Sequence, residues 1–313
     1  MIGRRLLLLG GVAALAGCTV GENVQWLPWN PPEPLPVTVP SGLTGRLART
    51  DALAGHLLGH ASAWGLSSGR VTTLEWFRKA TAEHFQVIAS SDPARRQHST
   101  TVLPSTPSPT QRTASATQAA LSKELGALRV LHRTSAQQAA GPAALLWASL
   151  AAFSATMAAV LPTGVGTLGD DGTERTPDLT GTGVDQVLQL GAQAVYGYEM
   201  ALAAPKLGTA DQAALRGRLQ QWQTFRPKVL TASPTTELTA PSVGYDVRPA
   251  RDGASARLIA VQLETAALPM LGAWIAGTSS AAERRVGIDA LADSNSALVR
   301  FGGAALRWPG WPG

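Results

Sequence analysis

Thr182-Gly183-Val184-Asp185-Gln186-Val187-Leu188-Gln189-Leu190-Gly191-Ala192-Gln193-Ala194-Val195-Tyr196-Gly197-Tyr198-Glu199-Met200-Ala201-Leu202 is the stretch that decides the architecture. Val184, Val187, Leu188, Gly191, Ala192, Val195, Tyr198 and Leu202 recur at steps of three and four, the spacing of one helix face. Asp185, Gln186, Gln189, Gln193 and Tyr196 fall towards the other side. Thr182 with Asp185 three positions later has the form of a capping box, a hydroxyl N-cap answered by an acid. The segment reads as an amphipathic helix of a bundle.

The same composition extends in both directions. Long runs rich in Ala, Leu, Gln and Arg alternate with Pro-, Gly-, Ser- and Thr-rich breaks, and strictly alternating β-branched clusters are nearly absent. The spacing predicts an all-α chain with helices near 43–66, 71–90, 114–138, 141–161, 183–204, 209–231, 254–276 and 281–307. Breaks fall at 91–113, 162–183 and 232–253. Two sets of four helices suit tandem up-down bundles, and one fused helical domain is the competing arrangement. The first arrangement gives a helical region at 42–162, a linker at 163–182 and a bundle at 183–313.

Upstream the chain reads as an export signal. Arg4-Arg5 precede an apolar run from Leu6 to Ala16, too short to span a bilayer, which needs about 20 residues. Leu15-Ala16-Gly17-Cys18 resembles the bacterial lipobox, in which the chain is cut before the cysteine and its thiol acylated with chains of the palmitate class. Cys18 is the single cysteine, so a disulfide within the chain is excluded. The expectation is a signal peptide at 1–17, then a lipidated Cys18 and a tether over 18–41. Six prolines between Pro28 and Pro40 favour a semi-rigid polyproline spacer. Arg4-Arg5 also fit a twin-arginine signal, and the route of export stays open. Trp26 and Trp29 are placed to rest at the lipid interface or on the folded body.

Charge narrows the partners. Net charge is +5, and +3 once Arg4 and Arg5 leave with the signal. No dense basic run interleaved with aromatics occurs, so nucleic acid is not expected.

In the second half, Ala194-Val195-Tyr196-Gly197-Tyr198, then Arg226, then Tyr245, Pro249 and Asp252 lead into Ala256-Arg257-Leu258 and Gln262-Leu263-Glu264. The close is Trp308-Pro309-Gly310. In this order the pieces resemble the ferritin-like domain of unknown function found in bacteria with GC-rich genomes, over about 183–313. The resemblance implies a ferritin-like four-helix bundle there, preceded by a second, less regular helical region. It does not carry ferritin chemistry across. Gly191-Ala192 stand where that family commonly has Glu-His, and Trp222 stands where it commonly has a His four residues before its Arg. Glu264 alone is retained.

A di-iron bundle needs about four carboxylates and two histidines, arranged partly as Glu-x-x-His pairs. All five histidines (His56, His60, His84, His98 and His132) precede residue 133, and no Glu-x-x-His occurs. The metal-ligand candidates therefore lie in the first half. His56 and His60, four apart, share a helix face that can clamp zinc, with Glu83, His84, Glu124 and His132 as further ligands. Against this stands the ordinary reading of solvated or core-edge polar residues. No Gly-x-Ser-x-Gly elbow or phosphate-cradling loop is present. Asp170-Asp171-Gly172-Thr173-Glu174 lacks the full ligand pattern of a calcium loop and reads as a solvated turn. Glu264 is expected to pair with Arg226 or Arg257. Trp222, Trp274 and Trp308 are expected to pack core or seam.

The expectation is a non-enzymatic, cofactor-free binding or scaffolding lipoprotein on the outer face of the cytoplasmic membrane. Its partners would be the membrane, through Cys18, and an unspecified envelope protein. The alternatives are a metal-binding protein or metalloenzyme built on the first-half His and Glu residues, and a carrier whose small apolar ligand fills space left by Gly191 and Ala192.

Overall fold

The structure is a computed structural model that describes residues 38–90, 100–169, 182–233, 245 and 247–311. These residues belong to one compact unit. They form α1 (Leu43–Gly59), α2 (Ser68–Ala89), α3 (Ala114–Gln138), α4 (Gly141–Val160), α5 (Val184–Leu202), α6 (Thr209–Ala232), α7 (Gly253–Gly277) and α8 (Ala281–Arg300). No strand occurs among them, so the all-α reading holds. Cys18, His98 and residues 170–174 lie outside the described residues, as do the segment expected as a signal, 1–17, and nearly all of the expected tether, 18–41.

Local chemistry sets most helix starts. Oxygens of Ser67, Thr113, Asp252 and Ser280 each accept the backbone N–H three residues on, opening α2, α3, α7 and α8. At α5 the expected capping box is displaced by one residue. Gly183 is the N-cap, and its N–H donates to Gln186 Oε1 at 3.0 Å, so Gln186 takes the role assigned to Asp185. Two ends also differ. α1 stops at Gly59 because the chain reverses through 60–65, with Gly65 at φ +62°. α8 stops at Arg300, where Gly302 at φ +96° and the bond from Gly303 N–H to Leu298 O close the helix. α6 and α7 run through Pro227 and Pro269.

α5 packs on α6 and α7, α8 packs on α6 and α7, and together they form a four-helix bundle. In the first half α1 packs on α2 and α3, and α3 on α4. α4 joins the halves by lying against both α7 and α8. One continuous apolar core runs from Leu47 of α1 through Trp147 of α4 to Trp274 of α7 and Leu291 of α8. A smaller cluster around Leu57, Phe77, Leu125 and Phe153 fills the far side of the first half. α4 and α7 are long and apolar enough to cross a membrane by length and composition, but most of the α4 span is buried inside the protein.

After α8 the chain returns to the first half. Ala305 exchanges backbone bonds with Thr167 and Gly169 at 3.0 and 2.8 Å. Glu83 accepts from Arg307 Nη1 at 3.0 Å and from Trp308 Nε1 at 2.7 Å. The Gly310 carbonyl lies so close to α7 that a Cβ on Gly272 would overlap it. These contacts place residues 301–311 as a strap across both halves.

Candidate functional site

The interior of the α5–α8 bundle holds one ion pair of unusual completeness. On α6 the stripe Leu215, Arg218, Trp222, Phe225 and Val229 repeats at three and four, and all five residues are buried. An arginine therefore stands in an apolar row. Its guanidinium meets Glu264 of α7, which has no exposure to solvent, in a bidentate fork: Nε to Oε1 at 2.8 Å and Nη2 to Oε2 at 2.9 Å. Tyr198 of α5 donates its hydroxyl to Oε1 at 2.6 Å, and Trp222 donates its indole N–H at 3.0 Å. Arg218 also donates from Nη2 to Ser294 Oγ of α8 at 2.8 Å, and from Nη1 to Gln221 Oε1 at 2.9 Å. All four helices thus contribute to one cluster.

Electrostatics follow from that geometry. Burial by itself would lower the Arg218 pKa, but the Glu264 carboxylate outweighs it and raises the value. Burial, reinforced by the adjacent carboxylate, raises the Tyr198 phenol well above its ordinary range, so it remains a proton donor. The Arg218 guanidinium also lies 4.7 Å from the centre of the Trp222 ring. A buried charge is tolerated when its partner and its remaining hydrogen bonds are supplied together.

Above this cluster, α6 and α8 border a cleft of about 250 Å³. Buried Arg218, Trp222, Phe225 and Ala290 and half-buried Val286 line it together with Gln221, Lys228, Arg285, Asp289 and Asp293. Burial raises the Asp293 carboxyl above its usual range against the opposing pull of Arg218. Asp289 is held by Arg133 of α3 through two bonds of 2.8 Å.

The pairing expected for Glu264 is corrected. Arg257 lies on the surface and binds Asp211 at 2.6 Å, Arg226 is half-buried, and the partner is Arg218. The reason is rotational: Arg218 lies on the inward row of α6, whereas Arg226 falls one step off it. Trp222 and Trp274 do pack the core, and Trp222 also serves as a donor. Trp308 lies in the seam, against His84 and Glu83. The space expected beside Gly191 is filled, since a Cβ there would meet the Phe225 ring at 3.1 Å. Ala192 is only partly buried.

The first-half candidates do not come together in one place. His56 and His60 sit together at the end of α1 with ring centres 4.5 Å apart, and His60 stacks on Trp64. His56 Nε2 donates to the Gln111 carbonyl at 2.9 Å and His60 Nδ1 to the His56 carbonyl at 3.0 Å, because a carbonyl can only accept. Glu124 accepts from Arg46 and Arg49. Glu83 and His84 hold the strap, His84 Nε2 donating to the Arg307 carbonyl at 2.8 Å. His132 is buried against Trp147. Its Nδ1 faces Ser154 Oγ at 3.3 Å, and its Nε2 has no partner among the described residues. Burial lowers His84 to about 3 and His132 to about 4. No three His, Cys, Asp or Glu side chains converge among the described residues as a metal site requires.

The pair of iron ions suggested by a ferritin-like resemblance does not fit the second-half interior. Both Glu264 oxygens are taken by hydrogen-bond donors, and a guanidinium occupies the position facing the carboxylate. An ion bound there would displace Arg218 and leave that cation buried without its counter-charge.

No curated protein and no solved structure matches the chain. Residues 183–313 match a family profile described as Domain of unknown function (DUF4439), a span that covers α5 to α8 and the strap and is compatible with a ferritin-like fold.

Proposed function

We propose that the chain is an exported lipoprotein, held at the outer face of the cytoplasmic membrane through acylated Cys18, whose helical body is a non-enzymatic binding or scaffolding module. The Arg218–Glu264 cluster carries the reading of the body. It commits the one carboxylate retained from the ferritin-like pattern to an internal ion pair, with Tyr198 and Trp222 completing its shell. Such a cluster fixes the mutual register of four helices and so stiffens a surface for recognition. The membrane part rests on the sequence alone: the lipobox-like Leu15–Cys18 and the Pro-rich tether. Several acyl chains hold a protein on a bilayer nearly permanently, since each buried methylene contributes about 0.8 kcal/mol.

Two measurements test the two parts. Cys18→Ser is expected to move the protein from the detergent phase to the aqueous phase on partitioning, and equal partitioning of variant and parent would refute the anchor. Elemental analysis of the purified chain is expected to find no stoichiometric metal. One or two iron or zinc ions per chain would overturn the reading of the body.

A further inference from the structure

We propose that the cleft between α6 and α8 binds a small organic carboxylate with a flat apolar body. This names the ligand class for the binding-module reading above, and it rests on that reading.

The floor supplies the first argument. Arg218 has five N–H groups, and four find acceptors in Glu264, Gln221 and Ser294. The fifth, on Nη1, has no acceptor among the described residues, and Arg218 lines the cleft. It is a buried, pre-oriented cationic donor, so a ligand oxygen placed there gains a charge-assisted bond with little ordering cost.

Charge supplies the second. Lys228 and Arg285 line the cleft, and neither makes an ion pair among the described residues. Asp289 is already neutralised by Arg133, and Glu264 by Arg218. Asp293 is the remaining carboxylate, with Arg218, Lys228 and Arg129 in its field. With those two pairs set aside, the lining keeps Lys228 and Arg285 against Asp293, so cations exceed carboxylates by one and the cleft attracts an anion. Shape supplies the third. Trp222, Phe225, Val286 and Ala290 give an apolar lining, and about 250 Å³ admits a ring but not an extended chain.

The test titrates the purified full chain, in detergent micelles, with phenylacetate by calorimetry. Its neutral amide, phenylacetamide, and inorganic phosphate serve as the other two arms. Saturable binding of phenylacetate is expected, with the amide weaker by about tenfold because it lacks the charge. Phosphate, which has no apolar body, is expected to bind more weakly than phenylacetate. Lys228→Ala with Arg285→Ala is expected to weaken phenylacetate by about tenfold, as two partly solvated charge contacts would. Asp293→Asn is expected to tighten it by removing a like charge, a gain that a purely structural role would not give. Val286→Trp fills the cleft from its half-buried rim and is expected to abolish binding while the thermal midpoint stays near that of the parent.

The proposal is overturned by any of four results: no saturable binding of phenylacetate, equal binding of the amide, phosphate binding as tightly as phenylacetate, or indifference to the charge variants. Membrane partitioning of Cys18→Ser and the metal content read the broader function separately, so failure of the cleft and failure of that reading are distinguishable.

Discussion

The two halves of the molecule bury polar chemistry in opposite ways. In the second half Glu264 and Arg218 enter the core as charges, and donors from all four helices gather around them. In the first half His84 and His132 enter the core as neutral rings, each with few polar contacts, His84 edge-on to Phe153 and His132 stacked on Trp147. A carboxylate cannot shed its charge in that setting without losing its ion pair, so it must be caged. An imidazole can shed its proton, and it needs less. The second half therefore depends on a network, whereas the first depends on packing.

The largest expected effect comes from breaking the cage on one side. Arg218→Met leaves Glu264 buried and unpaired, and should cost about 3–5 kcal/mol by denaturant melts. Adding Glu264→Leu should restore most of that loss. If the double variant is no better than the single one, the cluster does not act as a unit.

Acid sharpens the contrast from the other side. His132 has a native pKa near 4, below its ordinary 6.5. Below pH 6.5 the unfolded chain therefore binds a proton that the native chain refuses. The stability contributed by neutral His132 is present above that pH, declines as pH falls, and is lost by about pH 4, a change on the order of 3 kcal/mol. His132→Gln should flatten this part of the stability–pH curve. An unchanged curve would show that the ring titrates freely in the native state.

A smaller loss is expected for Tyr198→Phe. It removes one charge-assisted donor from a carboxylate that keeps its other three bonds, at about 1.5–3 kcal/mol. The smallest belongs to Arg133→Ala at the surface, where the pair with Asp289 contributes at most about 1 kcal/mol and less in high salt. If Arg133→Ala cost more than Tyr198→Phe, the ranking of cage over surface would fail.

Much of the fold was legible in the sequence. The eight helices fall where periodicity and breakers put them, because caps such as Thr113 and Ser280 and reversals such as Gly302 are local events. Faces were less legible. On α5 the buried row includes Leu190, Ala194, Gly197 and Ala201 beside Val187 and Tyr198, so the helix is rotated from the face expected. Small residues carry little hydrophobic signal, yet Gly197 is needed because a Cβ there would run into Leu263. Arg218 was missed although a signal existed: it sits in the Leu215–Val229 row at core spacing, and a charge in such a row is a sign of a buried partner.

By itself the sequence determined the helical content and most of the helix borders, because these depend on neighbours within a few residues. Only the tertiary structure decided that Glu264 pairs with Arg218, that α4 draws the two halves into one core, and that the first-half His and Glu candidates do not converge on one site among the described residues. Those outcomes depend on the rotation and register of helices far apart in the chain. Periodicity within one helix carries no information about the angle at which it meets another.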